Sequence, residues 1–174
     1  RNTTAAKASY SNWLNPTSTT ISLQNDSTNN NSATYVAYFF AHNNDDGGFG
    51  EPGDQDIIKC DTYTGNGSNT GSNSVTLGFE PQLIMIKRTD DTGNWVVVDN
   101  MRGMLVNGTG NDAILQWNTN SNESSLAQSV LEPTATGFKL RSAGGDFNGN
   151  GGTYIYMAIR RGGMQTPTAA SDVF

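Results

Sequence analysis

Short runs of β-branched, aromatic and aliphatic residues, each closed off by Gly, Asn, Asp or Pro, leave this chain little choice but β-structure. The runs lie at 19–24, 33–41, 56–63, 74–79, 82–88, 94–99, 113–117, 136–141 and 153–161. Between them stand turn clusters such as Gly65-Asn66-Gly67, Asp91-Thr92-Gly93 and Asn107-Gly108, and Gly and Asn tolerate the positive φ that tight turns need. A helical period is nearly absent, and only Glu123 to Leu131 could close a turn or two of helix. Side-chain parity then separates interior strands from edges. In QLIMIKR, Ile84 and Ile86 point one way and Leu83 and Met85 the other. NWVVVDN and TYIYMAIRR behave alike, and a strand apolar on both faces is a central one, covered above and below. The expected fold is all-β, an antiparallel β-sandwich of jelly-roll or concanavalin-like type.

One phrase is written twice. Residues 30–42 read NNSATYVAYFFAH and residues 149–161 read GNGGTYIYMAIRR. Thr34-Tyr35-Val36 aligns with Thr153-Tyr154-Ile155 at an offset of 119, without gaps, and Ile21, Asn29 and Asn31 align with Leu140, Asn148 and Asn150. The match predicts duplication. Residues 1–42 would be the C-terminal end of a preceding repeat module, 43–55 an acidic Gly-rich linker, 56–161 a complete sandwich module and 162–174 a spacer. The chain from Arg1 then reads as a slice of something longer. The alternative is a single domain whose first and last strands pair with each other.

Composition narrows the partners. A net charge of −6 argues against nucleic acid, because phosphate binding needs a basic surface. The apolar run Tyr35 to Ala41 is far too short to span a bilayer, and no charged-then-apolar leader marks a signal peptide, so no membrane is expected. His42 is the single histidine, which argues against a Ser-His-Asp triad and a multi-histidine zinc site. Cys60 is the single cysteine, with no internal disulfide to make, and reads as a small hydrophobe. The chain is therefore expected not to be an enzyme.

Two constellations remain. Asp45, Asp46, Glu51, Asp54 and Asp56 share one Gly-rich loop, and hard cations such as Ca²⁺ take several oxygen ligands on flexible turns. The spacing is not that of an EF-hand, and a solvated acidic linker is the plainer reading. Trp95, Trp117, Lys87, Arg88, Asp99 and Arg102 form a candidate glycan-binding set, since an indole face packs on a sugar ring while charged groups bond its hydroxyls. Against this, Trp95 shares a face with Val97, which leans toward packing, and Asp99 with Arg102 reads as a structural pair capping a turn.

The ordered phrases GFEPQLIMIKR, NWVVVDNMRG, TGFKL and NGNGGTYIYMAIRR carry a resemblance. Through Gly78, Phe79, Pro81, Ile86, Lys87, Arg88, Trp95, Asp99, Arg102, Gly103, Gly137, Phe138, Tyr154 and Arg160, the chain from about residue 33 onward resembles repeated modules of unknown function in large virion proteins of marine tailed phages, especially cyanophages. The resemblance implies a non-enzymatic structural or adhesive role on the virion surface, in a fibre, tail-associated or capsid-decoration protein. Its implied partners are other virion proteins and copies of itself, with a trimer the first expectation. A carbohydrate-binding module for a host surface polysaccharide is the alternative reading. No catalytic residue comes with the resemblance.

Overall fold

The computed structural model describes residues 4, 14–17, 20–23, 33–40, 57–104, 106, 110–126 and 129–162. The chain divides into two units, residues 1–6 with 41–174, and residues 7–40. In the smaller unit β1 (Leu14–Pro16) and β2 (Ile21–Leu23) form an antiparallel pair. Its turn is closed by a 2.7 Å bond from the Thr17 amide to the Thr20 carbonyl.

In the larger unit every described strand pairing is antiparallel, and the strands fall into two sheets. The larger sheet holds β3 (Ile58–Thr64), β5 (Pro81–Arg88), β6 (Trp95–Asp99), β7 (Ala113–Gln116), β8 (Ser124–Ser125) and β11 (Thr153–Arg160), in the order β3-β11-β5-β6-β7-β8. The smaller sheet, ordered β4-β10-β9, holds β4 (Asn73–Thr76), β9 (Leu131–Thr134) and β10 (Gly137–Leu140). The fold is the expected all-β antiparallel sandwich. As parity requires, the strands apolar on both faces (β11, β5 and β6) lie inside the larger sheet.

The core between the sheets is aromatic at one end. Phe138 of β10 is fully buried and meets Tyr63 of β3 and Tyr156 of β11 edge-on, at centroid distances of 6.2 and 5.6 Å. Tyr63 in turn stacks on Tyr154 at 5.0 Å. Such pairs add about 0.5–1.5 kcal/mol each beyond the area they bury. The Tyr63 hydroxyl donates to the Phe147 carbonyl, which satisfies its polar end inside the core. Burial pushes the phenols of Tyr63 and Tyr156 up, so both remain neutral hydrogen-bonding groups at ordinary pH. Close approach of the smaller sheet's strands explains Gly137. A Cβ there would stand 2.0 Å from the Val75 carbonyl oxygen.

Two expectations need correction. The stretch 123–131 holds no helix among its described residues: Ser124–Ser125 form β8, and Leu131 begins β9. Its polar run finds extended partners, with β8 on β7 and β9 on β10. Residues 33–40, expected as strand, lie in no strand although they have the right composition, because composition alone does not make the continuous ladder a strand needs. The two edges of β11 are occupied by β3 and β5.

Candidate functional site

Strand register sorts the six glycan candidates into three places. Ile155 lies opposite both Thr62 and Lys87, and Lys87 lies opposite Trp95. Beyond the β6–β7 pair Val96–Gln116, the Trp117 amide donates to the Trp95 carbonyl at 2.9 Å, which sets the two tryptophans opposite each other. Directly opposed residues share a face, so Ile155, Lys87, Trp95 and Trp117 form one row across the larger sheet. That face is not the one packed on the smaller sheet. Val96 and Val98 belong to the inter-sheet core, whereas Val97, alternating with them beside Trp95, does not. Trp95 is thus half-buried on the outer face rather than in the inter-sheet core, which corrects the lean toward core packing. Trp117 is 54% exposed and Ile155 is 36% exposed.

Lys87 is in the row, but its ammonium is occupied. It is buried and donates to the carbonyls of Arg88 at 2.5 Å and Thr4 at 3.4 Å. Burial lowers its pKa, against the pull of Asp146. The Thr4 carbonyl also accepts from the Gly93 amide at 2.9 Å, so it stands at this end of the face. Lys87 therefore positions chain here, and the exposed part of the row is centred on Trp117.

What holds the tryptophans in place is a network that sequence reasoning missed. Asn118 Oδ1 accepts from the Trp95 amide at 2.8 Å, and Asn118 Nδ2 donates to Asn94 Oδ1 at 3.0 Å. Asn94 in turn donates through its backbone and side-chain nitrogens to the two oxygens of Asp146, at 3.0 and 3.1 Å. Each asparagine flanks a tryptophan in sequence, which is the only local signal; Asp146 is 52 residues from Asn94.

Arg88 has the opposite parity from Lys87 and ends β5 in a loop. Its Nε and Nη2 donate to the two oxygens of Asp90 at 3.0 and 3.3 Å, and Asp90 Oδ1 also accepts from the Thr153 amide at 3.0 Å. The Arg88 hydrogen bond, then the Thr153 amide, draw the Asp90 carboxyl down to about 2. A depressed carboxyl contributes stability that is present above its ordinary value near 4 and lost as pH falls toward 2. Asp90→Asn is accordingly expected to be less stable than the parent by a constant, salt-sensitive margin above about pH 5. The margin should shrink below about pH 4 in urea titrations and be mostly gone as pH passes through 2. A margin that does not change with pH would show that Arg88–Asp90 pairing is not its source.

Asp99 and Arg102 sit at the other end of β6, about 13 Å from Trp95 at roughly 3.3 Å per residue. They form the expected structural pair: Asp99 Oδ2 accepts from Arg102 Nε at 2.7 Å and from Nη2, and Oδ1 accepts from the Arg102 amide at 2.9 Å. Burial raises the Asp99 carboxyl, but the Arg102 hydrogen bonds outweigh it and hold it below the usual range. Arg102 Nη1 also stands 3.6 Å from Glu123. The six candidates are thus one tryptophan pair, one buried lysine beside it and two separate structural clasps.

Asp45, Asp46, Glu51, Asp54 and Asp56 lie outside the described residues, as does His42. Among the described residues no group of three or more His, Cys, Asp or Glu could hold a metal ion, and no helix is long and apolar enough to cross a membrane. Cys60 is half-buried on β3 and in no disulfide, its pKa raised by burial, which favours the protonated, unreactive form.

The chain belongs to a family described as a domain of unknown function, DUF7483, whose model matches residues 1–161. No curated protein and no solved structure matches it.

Proposed function

We propose that this chain is a non-enzymatic structural and adhesive module of a larger virion protein of a tailed phage, at the particle surface. The observation that supports the reading is what the resemblance residues do in the fold. Phe79, Ile86, Phe138 and Tyr154 are buried in the core, and Gly137 lets two strands meet. Lys87 and Arg88 anchor backbone and loop, and Asp99 with Arg102 clasps a turn. The shared phrases therefore specify a scaffold, and a scaffold repeated along a fibre, tail or capsid decoration extends the particle and presents loops. Its partners are other virion proteins and further copies of itself, with a trimer the first arrangement to look for. Cross-linking of intact particles, read by mass spectrometry, tests this. Links from this chain to tail, capsid or its own copies support it, and absence of the chain from purified particles overturns it.

A second reading is favoured by the Trp95–Trp117 pair. An exposed indole beside another on a rigid sheet face is a surface on which a sugar ring can stack. Titration with host lipopolysaccharide or capsular polysaccharide is expected to give saturable quenching of tryptophan fluorescence. Trp117→Ala should weaken binding about tenfold or more, roughly 1.4 kcal/mol, without moving the unfolding transition. Flat titrations across those glycans would remove the carbohydrate reading and leave the architectural one standing.

A further inference from the structure

Residues 33–40 combine strand chemistry with no strand. Val36, Tyr38, Phe39 and Phe40 are 77, 82, 68 and 50% exposed. Contiguous exposed apolar residues on this scale mark a surface that some partner covers, and the larger unit shows what that partner looks like. The matching stretch at an offset of 119 is β11, which runs between β3 and β5. Across residues 29–42, three of the four positions repeated without change hold β11 in its slot; the fourth, Asn150, is exposed. Asn148, the counterpart of Asn29, is fully buried and bonds Asn66, Ser68 and Asn73 through its side chain. Thr153, the counterpart of Thr34, donates its amide to Asp90 and accepts from the Thr89 amide. Tyr154, the counterpart of Tyr35, stacks on Tyr63, and its hydroxyl bridges the Gly149 amide and the Gly145 carbonyl.

We propose that residues 34–40 are the β11 strand of another copy of this module, seated antiparallel between that copy's β3-type and β5-type strands. The core-facing row agrees. In β11 it is Tyr154, Tyr156 and Ala158; in the upstream stretch it is Tyr35, Ala37 and Phe39, two rings and one alanine with the last two sizes exchanged. The accepting copy then carries larger residues opposite Ala37 and smaller ones opposite Phe39, as a volume-conserving core requires. The slot of the copy described here is filled by its own β11, so these residues stay exposed until a copy with an open slot receives them. The proposal is independent of the virion and carbohydrate readings.

The test uses the full chain with residues 29–147 duplicated in tandem, an insertion of 119 residues that carries the second copy of 34–40 into the β11 position of the first sandwich. A companion version adds Ala37→Tyr and Phe39→Ala in that second copy, restoring the inward row of β11. Hydrogen exchange is expected to be at least about 100-fold slower at 34–40 of the second copy than at the first copy in the same molecule. Tyr35→Asp in the second copy should abolish that difference. Protection in either version supports the proposal; equal, fast exchange of both copies in both versions overturns it.

Discussion

Asp112→Ala is expected to lower the stability of the sandwich by about 3–5 kcal/mol, enough to leave a domain of this size partly unfolded. The side chain is fully buried where the chain enters β7, against the start of β9. Oδ2 accepts from the amides of Val130 at 2.5 Å and Leu131 at 2.9 Å, and from the Ser129 hydroxyl at 3.3 Å. Alanine strands the Val130 and Leu131 amides, both in buried residues, at about 1–3 kcal/mol each, while the Ser129 hydroxyl keeps the Leu131 carbonyl as an acceptor. Asp112→Asn keeps one oxygen and should cost less, about 1–2 kcal/mol, because a neutral acceptor replaces a charge-assisted one. Its new amide would take the place of Oδ1, which is buried with no hydrogen-bond partner among the described residues. Urea midpoints at unchanged m measure both variants. Equal losses for asparagine and alanine would show that the Oδ2 bonds are not what holds β9 in place.

Asp112 also shows where a single sequence stops being informative. Sixteen acids punctuate the chain, mostly in turns, and nothing local marks Asp112 as a buried one. Its partners lie 17 to 19 residues away, a separation no periodicity reports. What periodicity does report is strand identity where burial is two-sided. β5, β6 and β11 were legible because their runs are apolar on both faces, and β10 because Gly137-Phe138-Lys139-Leu140 alternates between turns. β9 escaped notice because LEPT contains a proline and a glutamate, residues rare in strands. Glu132 is nonetheless buried, its carboxylate taking the guanidinium of Arg141, the residue just past β10. Residues 33–40 failed in the opposite direction. Their composition is that of a strand, but strand formation belongs to the pair and not to the segment.

The candidate site was legible in kind but not in placement. Parity put Trp95 and Val97 on one face of β6, yet parity cannot say which face meets the second sheet, and that face is the other one. Trp117 opposes Trp95 only through the β6–β7 register, and the connection from residue 100 to 112 hides that register from the sequence. The Asp99–Arg102 clasp was legible because its partners are three residues apart. Lys87 looked available for a ligand because a lysine in a strand usually reaches solvent, and only coordinates show its ammonium bonded to two carbonyls.

Asn148 carries the second large effect, with a sign that separates the explanation from generic loop damage. Its Oδ1 accepts from the Asn66 amide at 2.9 Å and Asn73 Nδ2 at 2.7 Å, while its Nδ2 donates to Asn66 Oδ1 at 3.0 Å and the Ser68 carbonyl at 2.8 Å. One side chain thus stitches the β3–β4 connection to the loop that feeds β11. The two loops cannot close over a missing group, because a Cβ at Gly65 would already stand 2.2 Å from the Gly149 carbonyl oxygen. Asn148→Ala is expected to cost about 2–4 kcal/mol through the polar groups it leaves buried. Asn148→Asp, nearly the same shape, should cost at least as much near pH 7. It replaces the donor with a second anionic oxygen facing Asn66 Oδ1 and the Ser68 carbonyl. As pH falls toward 4 that carboxyl protonates and regains a donor, so the Asp variant should recover part of its deficit while the Ala variant does not. Urea midpoints of the three proteins at both pH values decide the matter. If Asp and Ala respond identically to pH, the donated hydrogen bonds do not bind these loops together.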